Sequence, residues 1–221
     1  MKKLKNIDLI AINCLNPEQS VKALLYSSRQ IEFGSLKLLA HYKPTNCPDE
    51  IEFYQIQKHT HDSLNKFAIS ELNNYITNDY FISIQDDGFI INPHLWNDEW
   101  FKYDYIGAPW PLEAPWCPVN RVGNGGFVFK SKKFIELTAE LNWNGQHDDV
   151  MLTNTFYNYF TSNGCKYAPV NVAMKFSLEA KIPECEYDLD KCFGFHGRGD
   201  AWIFQGEGQQ FKDKIQLLET I

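Results

Sequence analysis

The 221-residue chain has no apolar stretch approaching the roughly 20 residues that a membrane span requires, and no cluster of Lys and Arg dense enough to follow a phosphate backbone. Its formal net charge of -7 argues further against a general affinity for nucleic acid. There is no C-x-x-C pair: Cys14, Cys47, Cys117, Cys165, Cys185 and Cys192 are scattered, which speaks against a zinc knuckle or a disulfide framework and for free thiols in a cytoplasmic protein. Internal repeats and low-complexity tracts are also absent. The opening MKKLKNIDLIAIN has a basic flank, but its apolar stretch is short, contains Asp8 and meets no small-residue cleavage site. It reads as a first buried strand.

What the chain does have is ordinary globular usage, with 44% hydrophobic and 22% charged residues, and an unusual share of aromatics that includes six Trp. Trp110, Trp116, Trp143 and Trp202 stand near Gly, Pro or acids rather than in regular apolar runs; such faces can stack on sugars or bases, although a single Trp more often serves packing. Residues 7–13 read as a strand, followed by a helix from Pro17 to about residue 29 with Val21, Leu24 and Leu25 at helical spacing. Strands are expected over 36–42, 51–57 and 81–84. Between the last two, His61, Asp62 and Ser63 cap a helix expected to run to Tyr75. Helices are further expected over 131–141 and from His147 through Tyr159. Alternating strands and helices predict a three-layer α/β fold with a mostly parallel sheet, whose strand ends should converge on Asn13, Gln57 and Asp86.

The stretch ISIQDDGFIIN (82–92) ends an apolar strand in two adjacent acids, and strand carboxyl ends are where such sheets bind ligands. Asp86 and Asp87 suit a hard divalent cation that shares its coordination with substrate phosphates; a capped Asp-Gly turn is the competing reading. His147-Asp148-Asp149-Val150 could supply a general base, or merely acids favoured at a helix start. Gly123-Asn124-Gly125-Gly126 allows close backbone approach to a ligand but precedes a strand-like FVFK, so it is not a dinucleotide fingerprint. His196, between glycines in FGFHG, could reach a metal or pyrophosphate. Glu179, in FSLE, is a further candidate without other support.

Taken in order, QDDG, DYIGAPW, VGNGG, DDV, FSLE and FGFHG resemble a family of glycosyltransferase-like proteins, with bacterial and viral members, that read QxDG…DYIGAPW…VGNGGF…EDV…FSxE…FGFHG. The resemblance runs from about Ile51 to Gly197, and the first strand and helix also look like the start of GT-A-type glycosyltransferases. It implies a single GT-A (Rossmann-like) domain over 1–221, with a nucleotide-binding half, 1–92, and an acceptor and catalytic half, 93–221. Gln85, Asp86 and Asp87 fall at the DxD position of such enzymes, with Gln85 where the first Asp would be. On this resemblance Asp87 and His196 bind Mn²⁺ or Mg²⁺, while Asn13, Gln85, Asp86, Gly125 and Gly126 contact the donor. Asp149 inherits the catalytic base, Asp148 the acid before it, and Trp110, Trp116 and Asn124 line the acceptor side.

The implied reaction moves a sugar from a nucleotide-sugar donor to an acceptor hydroxyl with inversion. The alternatives are a catalytically inactive nucleotide-sugar or glycan-binding protein, motivated by Gln85 and by Asp148 in place of Glu, and a metal-dependent phosphoryl hydrolase. A glycan, a lipid-linked glycan or another hydroxyl compound is the expected acceptor. The acidic balance makes nucleic acid a less favoured one.

Overall fold

The computed structural model describes residues 1–200 and 207–221, so Trp202 lies outside the described residues. Six strands form the main sheet: β1 (Lys2–Ile12), β2 (Ile31–Ala40), β3 (Glu52–Gln55), β4 (Tyr80–Ile84), β5 (Tyr105–Ile106) and β6 (Val128–Ser131). Their spatial order is β3-β2-β1-β4-β6-β5, with the first four mutually parallel and β6 antiparallel to β4 and β5. The carboxyl half of β1 is buried almost without alternation, as expected of a central parallel strand covered on both faces. Chain order reverses between β1 and β4, which places a crevice at their carboxyl ends.

Helix α1 (Pro17–Ser28) starts with Pro17 in its first turn and buries Val21 and Leu24 against the sheet. The turn before it is held from the strand side, because Asn13 Oδ1 accepts from the N–H of Leu15 and of Asn16, each at 2.8 Å. Strand β2 begins at Ile31, five residues before the apolar alternation suggests. The extra length pairs with β1 from Lys2 onward, and just beyond it Lys37 Nζ forms a buried ion pair with Asp8 Oδ2 at 3.2 Å.

Helix α2 (His61–Ser70) is capped by Thr60 in a reciprocal box with Ser63, rather than by His61 or Asp62. It stops five residues before Tyr75, and a 3₁₀ turn, Leu72–Tyr75, carries the remainder. Helix α3 (Lys132–Ala139) is capped by Ser131 Oγ. The helix expected from His147 is broken into α4 (Asp148–Val150), a π-helical turn (Met151–Thr155) and α5 (Tyr157–Ser162). The break has a purpose in packing: Asn154 Oδ1 accepts from Val119 N at 2.9 Å and Asn120 N at 3.0 Å, tying this segment to the loop after Trp116. π-Turns of this kind concentrate at functional sites.

After α6 (Val170–Phe176) come two short parallel strands, β7 (Ser177–Leu178) and β8 (Gly194–Phe195), and then α7 (Gln209–Gln216), followed by a 3₁₀ turn, Leu217–Thr220. A dense aromatic core lies beneath them; Phe127 stacks on Phe176 at 4.8 Å between centroids, with Trp100 and Phe193 against the same group. No helix among the described residues is long and apolar enough to cross a membrane.

Candidate active site

The end of β4 turns sharply. Gln85 N donates to Gly88 O at 2.8 Å and Gly88 N returns a bond to Gln85 O at 3.2 Å, so Asp86 and Asp87 form the tip of a tight turn. The turn and the ligand site are therefore one feature, since the Asp-Gly turn is what aims both carboxylates into the crevice. Asp86 Oδ1 accepts from Asn13 Nδ2 at 3.3 Å across the gap from β1, and Asn13 is itself held by the amides of the following turn and by Ser20 Oγ at 2.9 Å.

The second wall comes from β7 and β8. Their parallel register, Ser177 with Gly194 and Leu178 with Phe195, makes Glu179 and His196 the next pair outward. His196 Nδ1 accordingly donates to Glu179 Oε1 at 2.9 Å, leaving Nε2 to face Asp87 Oδ1 at 3.8 Å and Gln85 Oε1 at 3.3 Å. Burial alone would push the imidazole below its ordinary range; the hydrogen bond and charge of Glu179, with Asp87 and Asp149, outweigh that and raise it. Gly126 and Gly88 flank this ring, and a Cβ at either would crowd it. The missing side chain of Gly126 makes room for His196.

The third wall carries Asp148 and Asp149 in α4. Asp149 Oδ2 accepts from Gly125 N at 3.3 Å and Oδ1 from Val150 N at 2.7 Å. Its pKa rises to about 6, first through burial and then through the negative charge of Asp148. Asp148 is anchored by its amide, which donates to Asn65 Oδ1 at 2.9 Å.

These walls enclose a cavity of about 760 Å³, and the twelve residues to which the resemblance gives a role all line it. Two of them do so in a different capacity. Asn124 is only 4% exposed, and its Oδ1 accepts from the amides of Gly126 and Phe127, so it holds the glycine loop rather than meeting an acceptor. Trp110 is likewise 4% exposed and packs onto Gly123, leaving half-buried Trp116 as the aromatic surface at that end. Gln57 does not line the cavity; β3 ends at Gln55, and His59, Thr60 and His61 stand there instead.

Sequence reasoning passed over two cations. Arg198 reaches both turn acids, with Nη2 at 2.8 Å from Asp86 Oδ2 and Nε at 3.2 Å from Asp87 Oδ2. Lys130 lines the cavity from β6 at 3% exposure; burial depresses its ammonium, partly offset by the charges of Asp148 and Asp149. The only local signals were an Arg set between glycines directly after FGFHG and a Lys closing the apolar VFK run.

Among the described residues no three His, Cys, Asp or Glu side chains converge as a metal site. The donor set nevertheless fits a hard cation that completes its coordination with phosphate oxygens. Asp87 Oδ1, His196 Nε2 and the amide oxygen of Gln85 face one another, and the far side of the imidazole is fixed by a carboxylate, the usual arrangement behind a ligating His. Gln85, which departs from the expected acid, supplies a neutral oxygen at that point.

Comparison with known proteins agrees with this architecture. The galactosyltransferase LgtC, solved in complex with donor and acceptor sugar analogs, superposes with a TM-score of 0.53 at 13% identity over 97% of both chains. The mannosyltransferase PcManGT from Pyrobaculum calidifontis, solved in complex with GDP-Man and Mn²⁺, gives 0.47 at 7% identity over 76% of this chain and 55% of its own. The bifunctional IspDF from Campylobacter jejuni gives 0.47 at 11% identity over 74% of this chain, which spans 48% of that protein's length. At 13% identity the likeness to LgtC establishes the fold alone, that of the GT-A glycosyltransferases. No curated protein sequence matches. A family model described as a protein of unknown function, DUF5672, matches residues 50–196, and with most of its length inside that match the chain belongs to the DUF5672 family.

Proposed function

We propose that this protein is a glycosyltransferase, a single domain that moves a sugar from a nucleotide-sugar donor to an acceptor hydroxyl with inversion at the anomeric carbon. The observation that carries the reading is the convergence, in one cavity, of the Asp86-Asp87 turn, the Glu179–His196 pair and Asp149, each from a different part of the fold. A volume of about 760 Å³ suits a ligand of nucleotide-sugar size.

Asn13 and Asp86 would contact the donor at the β1–β4 crevice, and Trp116 would offer its face to the acceptor sugar. Asp149 would take the proton from the acceptor hydroxyl as that oxygen attacks the anomeric carbon and the bond to the diphosphate breaks. Its pKa of about 6 leaves it ionised at neutral pH yet more basic than an ordinary carboxylate, the compromise that general-base catalysis favours. Asp148 supports that basicity by its charge. A divalent cation, when bound, would be held by Asp87, His196 and Gln85 and would supply positive charge to the leaving diphosphate.

The test is sugar transfer from a panel of nucleotide sugars in Mn²⁺, with product stereochemistry determined by NMR. Wild type should transfer one or more donors with inversion, while Asp149→Asn should lose at least 100-fold in kcat, the range for a positioned base. Robust transfer by Asp149→Asn would remove the base assignment. Binding of a donor without any turnover would point instead to a nucleotide-sugar binding protein.

A further inference from the structure

We propose that Arg198 is an internal cation that holds the divalent position at Asp86 and Asp87 while the donor is absent, and moves onto the donor's diphosphate when it arrives. The second half of this rests on the nucleotide-sugar reading; the first half does not.

The geometry covers the outward oxygen of each acid with one guanidinium. Asp86 Oδ1 faces Asn13 Nδ2 at 3.3 Å and Asp87 Oδ1 faces His196 Nε2 at 3.8 Å, while Arg198 faces both remaining oxygens at 2.8 and 3.2 Å. An ion that takes an oxygen from each acid must displace Asn13 or Arg198. Asn13 is pinned by two backbone amides and Ser20, and His196 by Glu179 and the glycines around its ring. Among the described residues Arg198 is held less firmly: its side chain is 55% exposed, against 14% and 15% for the acids it covers. It is the group that can leave.

The backbone is built to present it. Gly197 and Gly199, with φ of +119° and +76° in the region that favours glycine, flank Arg198, whose guanidinium lies over the turn. Gly197 N donates to Asp87 O at 2.7 Å, which fixes the arm to the very turn it covers. Three carboxylates, Asp86, Asp87 and Glu179, meet Arg198 and His196 here, so a bare dication would enter beside a charge already in place. A diphosphate changes that balance. Its oxygens offer the guanidinium a planar, bidentate partner and free the carboxylate oxygens for the metal.

The consequence is that a divalent ion binds weakly before the donor and more tightly with it. The experiment is Mn²⁺ titration of the nucleotide-free protein, read by the EPR signal of free Mn²⁺, for wild type, Arg198→Met and Arg198→Lys, with thermal denaturation of each. Arg198→Met should bind Mn²⁺ roughly tenfold more tightly, and Arg198→Lys should stay near wild type because the charge remains. Calorimetry with inorganic pyrophosphate in chelator should show roughly tenfold weaker binding by Arg198→Met.

Unchanged or weaker Mn²⁺ binding by an Arg198→Met protein that melts like wild type overturns the occupancy. A gain in Mn²⁺ affinity with unaltered pyrophosphate binding overturns the transfer to diphosphate. If no member of a nucleoside diphosphate panel binds wild type, with or without Mn²⁺, the nucleotide-sugar reading fails, and the Mn²⁺ comparison still decides the first half by itself.

Discussion

Replacing Asp149 by Asn should stabilise the protein while removing its proposed base. Asp149 titrates at an ordinary 3.8 when unfolded and at about 6 when folded, because burial and the charge of Asp148 oppose its ionisation. A raised folded pKa means that stability is fully present below about 3.8 and is lost as pH rises through about 6. Two units at ~1.4 kcal/mol each set an upper bound of about 3 kcal/mol. Asn keeps one acceptor of two, which costs about 1 kcal/mol through the Gly125 or Val150 amide. The side chain is also open to the cavity, and screening trims the gain further. A net 1–2 kcal/mol, roughly 2–8 °C in Tm for a chain of this size, is the expected gain at pH 7.5. Calorimetric melts of both proteins in chelator at pH 4.5 and 7.5 provide the assay, and the difference should shrink at the lower pH. A variant less stable than wild type at pH 7.5, or a gain of the same size at both pH values, would refute the electrostatic argument.

Asp148→Asn removes a negative neighbour and should move the acidic limb of the kcat/KM profile, which follows Asp149, below about 6; a limb that stays or moves upward shows that Asp148 does not act through its charge. Gly126→Ala drives a methyl into the His196 ring, so it should weaken Mn²⁺ binding in the presence of nucleoside diphosphate at least tenfold with a near-native fold by circular dichroism. Asp8→Ala leaves Lys37 buried without its carboxylate, and urea unfolding should show a loss of about 3–5 kcal/mol. Asn154→Ala frees the 119–120 backbone from the π-turn; acceptor KM should rise several-fold with little change in donor KM, and equal changes in both would remove its link to the acceptor side.

Much of this architecture was legible because it is local. The continuous apolar run of β1, Pro17 opening α1 and Ser131 capping α3 are decided within a few residues by burial, φ restriction and hydrogen bonding. Errors fell where distant partners override local preference. The helix after His147 breaks because Asn154 must reach the 119–120 backbone, and β2 starts early because β1 extends to Lys2 and offers it a pairing edge. Trp110 and Asn124 carry the right chemistry for a ligand, yet they are consumed by a glycine and by loop amides that only packing brings to them.

By itself the sequence determined the strand that ends in Asp86 and Asp87, the turn that exposes them, and the order of glycine, acid and His motifs behind it. Tertiary structure alone decided that Glu179 orients His196, that Gly126 houses its ring, that Asp148 raises Asp149 and that Arg198 covers the two acids. The physical reason lies in the origin of each contact. A turn or a cap depends on neighbours along the chain, whereas the Arg198–Asp86 pair, separated by 112 residues, depends on β8 running alongside the segment that follows β4. No local pattern encodes that alignment.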